Sequence, residues 1–186
     1  VRNVFWGDTM KHYFTGETDA LKLLLSRGLP ENVILHCQAV ADTSGAMAEA
    51  LNKNGFSLDV RLCVRGGLLH DIERLKKNHE HAGADLLREL GMNDEADIVE
   101  HHMGLGIDYN AVSEREVVFL ADKITQEHHR TTVSERYAPA LRMTEHLPEV
   151  HREIENVVKN CVTMESVYEA LIGCSLMELP IGKYEE

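Results

Sequence analysis

Histidine and aspartate recur in this sequence at places where apolar residues surround them. His70 and Asp71 directly follow the apolar run GGLL, and Asp122 follows the apolar run VVFLA. A carboxylate in such a setting is costly to bury without a partner. The histidines that share apolar settings are His36, His79, His101 and His102. Because imidazole and carboxylate ligands together suit Zn, Fe, Mn or Ni, the pattern predicts a transition-metal site.

For any one of these histidines alone, an ordinary core or surface residue is the favoured interpretation. Taken together, the histidines and aspartates favour a metal site, because five predicted helices each bring at least one metal-competent side chain to an apolar face. His81 is left out because it lies two positions after His79 and points about 200° away around a helix. His128 and His129 are left out because they fall in the last turn of a predicted helix, where positive charge is mildly favourable. His12, His146 and His151 lack an apolar setting or a motif partner.

The elements that must position these residues are predicted to be helices. Helical periodicity recurs along the chain, while strand signals are almost absent. The predicted helices are Thr18–Arg27, Pro30–Asn54, Leu58–Ile72, Glu80–Leu90, Asp94–Met103, Ser113–His129, a short helix that ends at Glu145 after a break at Tyr137–Pro139, and a last helix over about 149–178. The sequence therefore predicts one all-α domain over residues 1–186, with a metal site between the helices of a bundle.

The last predicted helix carries an apolar seam with alternating spacings of four and three residues, which is typical of a packed helix face. The seam consists of Val150, Ile154, Val157, Cys161, Met164, Tyr168 and Leu171. Packing against the chain's own domain is the favoured interpretation. The alternative is a homodimer formed through this C-terminal helix.

Composition limits the partners and the compartment. The 186 residues include 19 basic and 31 acidic residues, giving a net charge of −12, and no Lys/Arg stripe offers a nucleic-acid polymer a counterion-release surface. We expect no membrane partner, since no apolar run reaches about 18 residues. The four cysteines lack a C-x-x-C pair, which favours free thiols and a cytoplasmic location. The chain begins without methionine and fits an origin in a longer protein.

Several stretches resemble the HD-domain superfamily of metal-dependent phosphohydrolases, in its small HDIG-like branch. The family order H…HD…D is matched by His36, by His70 with Asp71, and by Asp122. The flanking stretches LLHDI, HEHAGADLL, EHHMG and FLADK also resemble family elements. The resemblance covers about residues 33–124 and implies the helical HD-type fold.

The resemblance also implies ligands for one or two divalent transition-metal ions, of Fe, Mn, Zn, Ni or Co. One ion would be held by His36, His70, Asp71 and Asp122. Asp71 would bridge to a second ion, whose other ligands would be His79 and His101, with His102 as an additional candidate ligand or phosphate contact. His70 and Asp71 would then be the catalytic residues, and a metal-bound hydroxide would be the nucleophile.

The function that follows from the resemblance is hydrolysis of a phosphate mono- or diester in a small, nucleotide-like molecule. The sequence departs from the common HDIGK form by reading HDIER, so that Glu73 and Arg74 replace the glycine and the lysine. Arg74 can contact phosphate as a bidentate fork, and an ordinary surface arginine is the alternative. Two other functions stay open: a di-iron oxygenase with the same ligands, and a non-catalytic, metal-stabilised sensing or interaction module.

Overall fold

The computed structural model describes residues 20–180, and within them almost all regular structure is helical. The helices are α1 (Ala20–Ser26), α2 (Glu31–Lys53), α3 (Val60–Leu69), α4 (His79–Glu89), α5 (Asn93–His101), α6 (Glu114–Lys123), α7 (Val133–Thr144) and α8 (Pro148–Ile172). Strands β1 (Thr125–Gln126) and β2 (His129–Arg130) follow α6, and a 3-10 helix, Leu176–Glu178, follows α8. The predicted all-α class is confirmed. The predicted start of the first helix, at Thr18, lies outside the described residues.

Helices α2 and α3 form the centre of the fold because small residues let them approach closely. A Cβ atom added to Gly67 would lie 2.8 Å from the Cα of Ala41 and 2.8 Å from the hydroxyl of Ser44. The same hydroxyl donates a hydrogen bond across the two helices to the Cys63 carbonyl, at 3.0 Å. The close crossing places the end of α3, where His70 lies, beside the face of α2 that carries His36.

Helix α6 is the most deeply buried helix of the described chain. Every residue from Glu116 to Lys123 is buried, and its apolar side chains join those of α2 and α8 in the larger hydrophobic core. Asp122 therefore reaches the interior on the last turn of a core helix. Cys37, Cys63 and Cys161 are also buried, Cys174 is partly buried, and all four are free thiols, as the sequence predicts.

Helix α6 ends at Lys123, so the prediction that it continues to His129 is wrong. Beyond it the chain turns back, and Thr125 pairs with Arg130 in a short antiparallel hairpin. The Thr125 carbonyl accepts a hydrogen bond from the Arg136 guanidinium, a tertiary contact in place of the amide that a continuing helix would supply. Likewise α3 ends at Leu69 and not at Ile72, with turns leading from His70 to α4.

The predicted break at Tyr137–Pro139 is also wrong, because α7 runs without interruption through Pro139. A capping box between Thr132 and Glu135 starts this helix and satisfies its first amide groups. Pro139 removes one helical hydrogen bond, to the carbonyl of Glu135. Both residues are exposed, and water can take the place of the missing donor.

The apolar seam of α8 is buried over only part of its length. Cys161, Met164 and Tyr168 are buried, as predicted, whereas Val150 and Val157 are 44% and 38% exposed, which corrects the prediction for the first half of the helix. A helix of 25 residues is about 37 Å long and extends past the core that it covers. The homodimer through this helix stays a prediction.

Within residues 20–180, no helix is both long enough and apolar enough to cross a bilayer. One domain over residues 1–186 stays a prediction.

Candidate metal centre

Residues far apart in sequence meet where α2, α3, α4, α5 and α6 converge. Among the described residues, two groups could each hold an ion, because their ligand atoms all lie within 4.8 Å of one another. The first group is His36, His70 and Asp71, and the second is Asp71, His79 and His102. Asp71 belongs to both. The pair His70–Asp71 is therefore adjacent in sequence because the end of α3 delivers both side chains to one place.

Asp122 borders the first group. Its Oδ1 atom lies 3.1 Å from His36 Nε2 and 3.9 Å from His70 Nε2. Its Oδ2 atom accepts a hydrogen bond from the buried Lys123 ammonium at 2.6 Å. Burial alone would raise the pKa of Asp122, but the Lys123 cation and the His36 contact outweigh burial and hold that pKa well below its usual range. Asp122 is therefore an anion next to the first group.

The hydrogen bonds of three histidines fix which ring nitrogen faces the cluster. Each donates from Nδ1 to a main-chain carbonyl: His36 to Glu127 at 2.8 Å, His70 to Gly67 at 2.7 Å and His102 to Val99 at 2.6 Å. A carbonyl only accepts hydrogen bonds, so Nδ1 carries a proton in each ring, and Nε2 is the nitrogen that faces the cluster. Metal-binding histidines are commonly oriented in this way.

Two buried polar atoms in the cluster have no hydrogen-bond partner: His70 Nε2 and Asp71 Oδ1. Asp71 Oδ1 lies 3.0 Å from His79 Nε2 and 3.5 Å from His102 Nε2, but neither contact has hydrogen-bond geometry. Buried atoms of this kind are normally satisfied. Both are electron-pair donors, so a cation between them would satisfy both.

A protonated histidine does not supply this positive charge at His70. Burial is the main cause that lowers the pKa of His70 to about 4, so the ring is neutral near pH 7. The pKa of Asp71 is also lowered, because contacts with His70, His102 and His79 outweigh the opposing effect of burial. A neutral imidazole next to an ionised carboxylate is the donor set of a divalent transition-metal site, and these residues therefore fit the metal that the sequence predicts.

His79 and Arg74 form the more open side of the cluster. His79 Nε2 lies 3.2 Å from His102 Nε2 and 3.1 Å from a terminal nitrogen of Arg74. The Arg74 Nε atom is 3.6 Å from Asp71 Oδ2, and nearly half of the arginine side chain is exposed. Arg74 therefore lies at the rim of the site and not on a remote surface.

The structure places His102 in the second group, where the sequence had favoured His101. His101 turns away: its Nδ1 donates to the Asp97 carbonyl at 2.7 Å, and its ring edge faces Gly106, where an added Cβ would come within 2.9 Å. The sequence left this choice open. His102 follows the buried residues Ile98 and Val99 by four and three positions, whereas His101 also follows Ile98 by three positions and follows the exposed Asp97 by four.

The cluster lies in an open cavity of about 700 Å³. Three cationic side chains line that cavity together with the ligand candidates: Arg74, Lys123 and Arg136. The sequence singled out Arg74 alone. Lys123 could have been predicted at the cavity, because it is adjacent to Asp122 in the chain. Arg136 could not, because its approach from α7 depends on the hairpin.

Comparison with known proteins addresses the family directly. A family model described as HD domain matches residues 33–127. The chain belongs to the HD-domain family. The matched range contains all the residues of both candidate metal groups, and it confirms the resemblance drawn from the sequence.

Three relatives of the HD domain come from microorganisms. The uncharacterised protein MJ0778 of Methanocaldococcus jannaschii is 44% identical over 81 residues, which are 41% of this chain and 48% of that protein. A tRNA (cytidine(56)-2'-O)-methyltransferase of Picrophilus torridus is 35% identical over 99 residues, 51% of this chain and 28% of that protein. Ribonuclease Y of Aquifex aeolicus is 36% identical over 88 residues, 45% of this chain and 14% of that protein.

In each of these relatives the similarity covers less than half of the whole protein. It therefore concerns one part of each relative and not that relative's full-length activity. No solved structure matches the chain at a significant level.

Proposed function

We propose that this protein is a metal-dependent phosphohydrolase that hydrolyses a phosphate ester of a small, nucleotide-like molecule. Metal-dependent phosphohydrolysis is the general activity of HD domains, and this chain contains one. The observation that carries the proposal is the pair of buried atoms without partners, His70 Nε2 and Asp71 Oδ1. They lie in adjacent ligand groups that share one carboxylate, as a two-metal phosphoryl-transfer site requires.

The ligands assigned to each ion follow from the two groups. His36, His70, Asp71 and Asp122 would hold one ion, and Asp71, His79 and His102 would hold the other. The ions would be drawn from Fe, Mn, Zn, Ni or Co, since nitrogen donors occur with carboxylates in both groups. When bound, such ions lower the pKa of a coordinated water and neutralise charge on the phosphoryl group.

The protein's own groups orient the substrate and the ligands. Asp71 reaches both groups and would contribute a ligand to each ion. Arg74, at the rim, offers a planar pair of N–H donors that matches two phosphate oxygens. Lys123 is less available, because its ammonium is buried and donates to Asp122 and to the His102 carbonyl. The ions and Arg74 would therefore supply most of the positive charge for an anionic substrate in a chain of net charge −12.

The cavity supports a small substrate. Its volume of about 700 Å³ falls within the usual range for small-molecule sites, roughly 300–1,000 Å³. Aromatic Tyr137 and apolar Met103 lie on its lining beside the charged groups, and they could contact a base or sugar while the phosphate faces the metal ligands.

A metal-by-substrate screen tests the proposal. The protein would be stripped with a chelator, reloaded separately with Mn²⁺, Fe²⁺, Co²⁺, Ni²⁺ or Zn²⁺, and assayed for phosphate release from nucleoside mono-, di- and triphosphates, and for cleavage of cyclic nucleotides and other small diesters. We expect hydrolysis that needs metal and that falls in Arg74→Ala mainly through a higher KM. Metal-loaded protein that hydrolyses none of these esters but consumes O2 would contradict the proposal in favour of oxygenase chemistry.

A further inference from the structure

Within residues 20–180, only two non-glycine residues have a left-handed backbone conformation, and both border the metal centre. Asn78, at φ 53°, directly precedes His79, and Glu127, at φ 54°, lies in the loop of the β1–β2 hairpin. Asparagine tolerates this conformation comparatively well, whereas glutamate adopts it seldom. Glu127 is therefore the more informative of the two.

The side chain of Glu127 does not explain this conformation, since it is exposed. The main chain makes a specific contact here: the Glu127 carbonyl accepts the hydrogen bond from His36 Nδ1 at 2.8 Å. Glu127 is also the first residue of a two-residue loop between the paired residues Gln126 and His129, where a positive φ keeps the hairpin tight and glycine is the usual residue.

The geometry points to Glu127 as a positioning residue of the metal centre: its left-handed backbone aims its carbonyl at His36 Nδ1 and so presents His36 Nε2 to the ion. This inference rests on the proposed metal site. It assigns the role to the backbone, so any residue that keeps a positive φ at this position should retain it. A partner that orients a metal-binding histidine typically changes metal affinity about ten- to hundredfold when it is lost.

The surroundings of the hairpin hold the strained residue in place. Arg130, on β2, donates to the Thr43 hydroxyl at 3.1 Å and to the Leu179 carbonyl at 2.6 Å. At the other end, Arg136 donates to the Thr125 carbonyl. Both strands are thus anchored to α2, α7 and the C-terminal segment. A strained backbone persists where neighbouring contacts determine it in this way, often at a functional site.

Three substitutions at position 127 test the role of the backbone. Glu127→Gly removes the side chain but favours the same φ, so Zn²⁺ affinity, measured against a competing chelator, should stay within about twofold of the original protein. Glu127→Val and Glu127→Pro disfavour or forbid a positive φ, and should weaken Zn²⁺ binding about ten- to hundredfold. Two such variants are used because the second still gives a result if the first does not fold.

Gly91→Val is the matched control, since Gly91 has φ 77°, has open space around it and lies outside the cluster. It should lower the melting temperature without changing Zn²⁺ affinity. Equal Zn²⁺ affinity in Glu127→Val, Glu127→Pro and the original protein would overturn the inference. So would a loss of affinity in Gly91→Val as large as that in Glu127→Val.

A second measurement separates this inference from the proposed function. In the metal-free protein, NMR of the imidazole groups should show a proton on His36 Nδ1 that is protected from solvent, assigned by its absence in His36→Asn. That proton should persist in Glu127→Gly and lose its protection in Glu127→Val. An unprotonated His36 Nδ1 would overturn the inference alone. A protected proton, together with Zn²⁺ binding that weakens in Glu127→Val, in a protein that hydrolyses no phosphate ester would leave the inference standing and contradict the proposed function.

Discussion

The two candidate metal groups share Asp71 but hold their other ligands differently. In the first group, His36 and His70 are both fixed by main-chain carbonyls, and His70 is buried. In the second, His102 is fixed in the same way, but His79 Nδ1 lies 3.6 Å from the nearest Glu80 oxygen, too far for a hydrogen bond. Position 79 also opens onto the rim at Arg74.

The difference comes from the elements that carry each group. The first group lies on the long core helix α2 and at the end of α3, beside Asp122 on the buried helix α6. The second lies at the first residue of α4 and just after α5, next to the turns that follow Asp71. We expect the first group to be a preorganised, tighter metal site and the second to be a weaker site that adjusts to the substrate.

The largest effect is expected from Asp71→Ala, since it removes a ligand from both groups at once. Metal content should fall well below one ion per chain, and turnover should fall by roughly three orders of magnitude or more, because the two-metal arrangement is lost. Elemental analysis beside a phosphatase assay would measure both, with circular dichroism to check the fold. Full metal content in this variant would show that Asp71 is not a shared ligand.

His70→Ala and His79→Ala sharpen the comparison between the groups. His79→Ala leaves the first group complete, so it should keep about one ion per chain while turnover drops roughly a hundredfold. His70→Ala should weaken the tighter ion itself and lower metal content more. His81→Ala, from the exposed side of α4, serves as the control and should change neither quantity. Equal metal content in His70→Ala and His79→Ala would show that the two groups bind metal with similar affinity.

A smaller difference is expected between neighbours at the end of α5. His102→Ala should lower metal affinity about ten- to hundredfold, since it removes a ligand that is oriented by Val99. His101→Ala should change affinity by less than about twofold, because this ring contacts Asp97 and Gly106 and not the cluster. Isothermal titration with Mn²⁺ would separate the two. A larger loss of affinity in His101→Ala than in His102→Ala would support His101 as the ligand, as the sequence predicted.

The smallest effect concerns Asp42, on α2 but outside both groups. Burial raises the pKa of its carboxyl to about 6, although Arg130 opposes the shift. A pKa that is higher in the folded state means that the ionised carboxylate destabilises the fold, a cost that is absent below about pH 4 and complete above about pH 6. Asp42→Asn should therefore raise the free energy of unfolding by about 1 kcal/mol at pH 7 and by much less at pH 4. Urea unfolding at the two pH values measures this, and equal gains at both would exclude Asp42 ionisation as the cause.

Much of the site could be predicted because its signals are local. His70 and Asp71 directly follow an apolar helix, and Asp122 lies on the last turn of another, so their apolar neighbours in sequence indicate that all three lie close to the interior. The helices themselves were found for the same reason, except where a tertiary contact intervened. The end of α6 depends on Arg136 binding the Thr125 carbonyl, and the continuity of α7 through Pro139 depends on its exposed position, neither of which a local pattern contains.

By itself, the sequence determined the helical class, the family and the set of residue types that could bind metal, because apolar spacing and motif order are properties of the chain. Only the tertiary structure decided that His102 and not His101 faces Asp71, and that carbonyls from Glu127, Gly67 and Val99 orient three of the rings. The physical reason is that adjacent helical residues differ by about 100° in direction, and main-chain hydrogen bonds between distant segments exist only once the helices have packed.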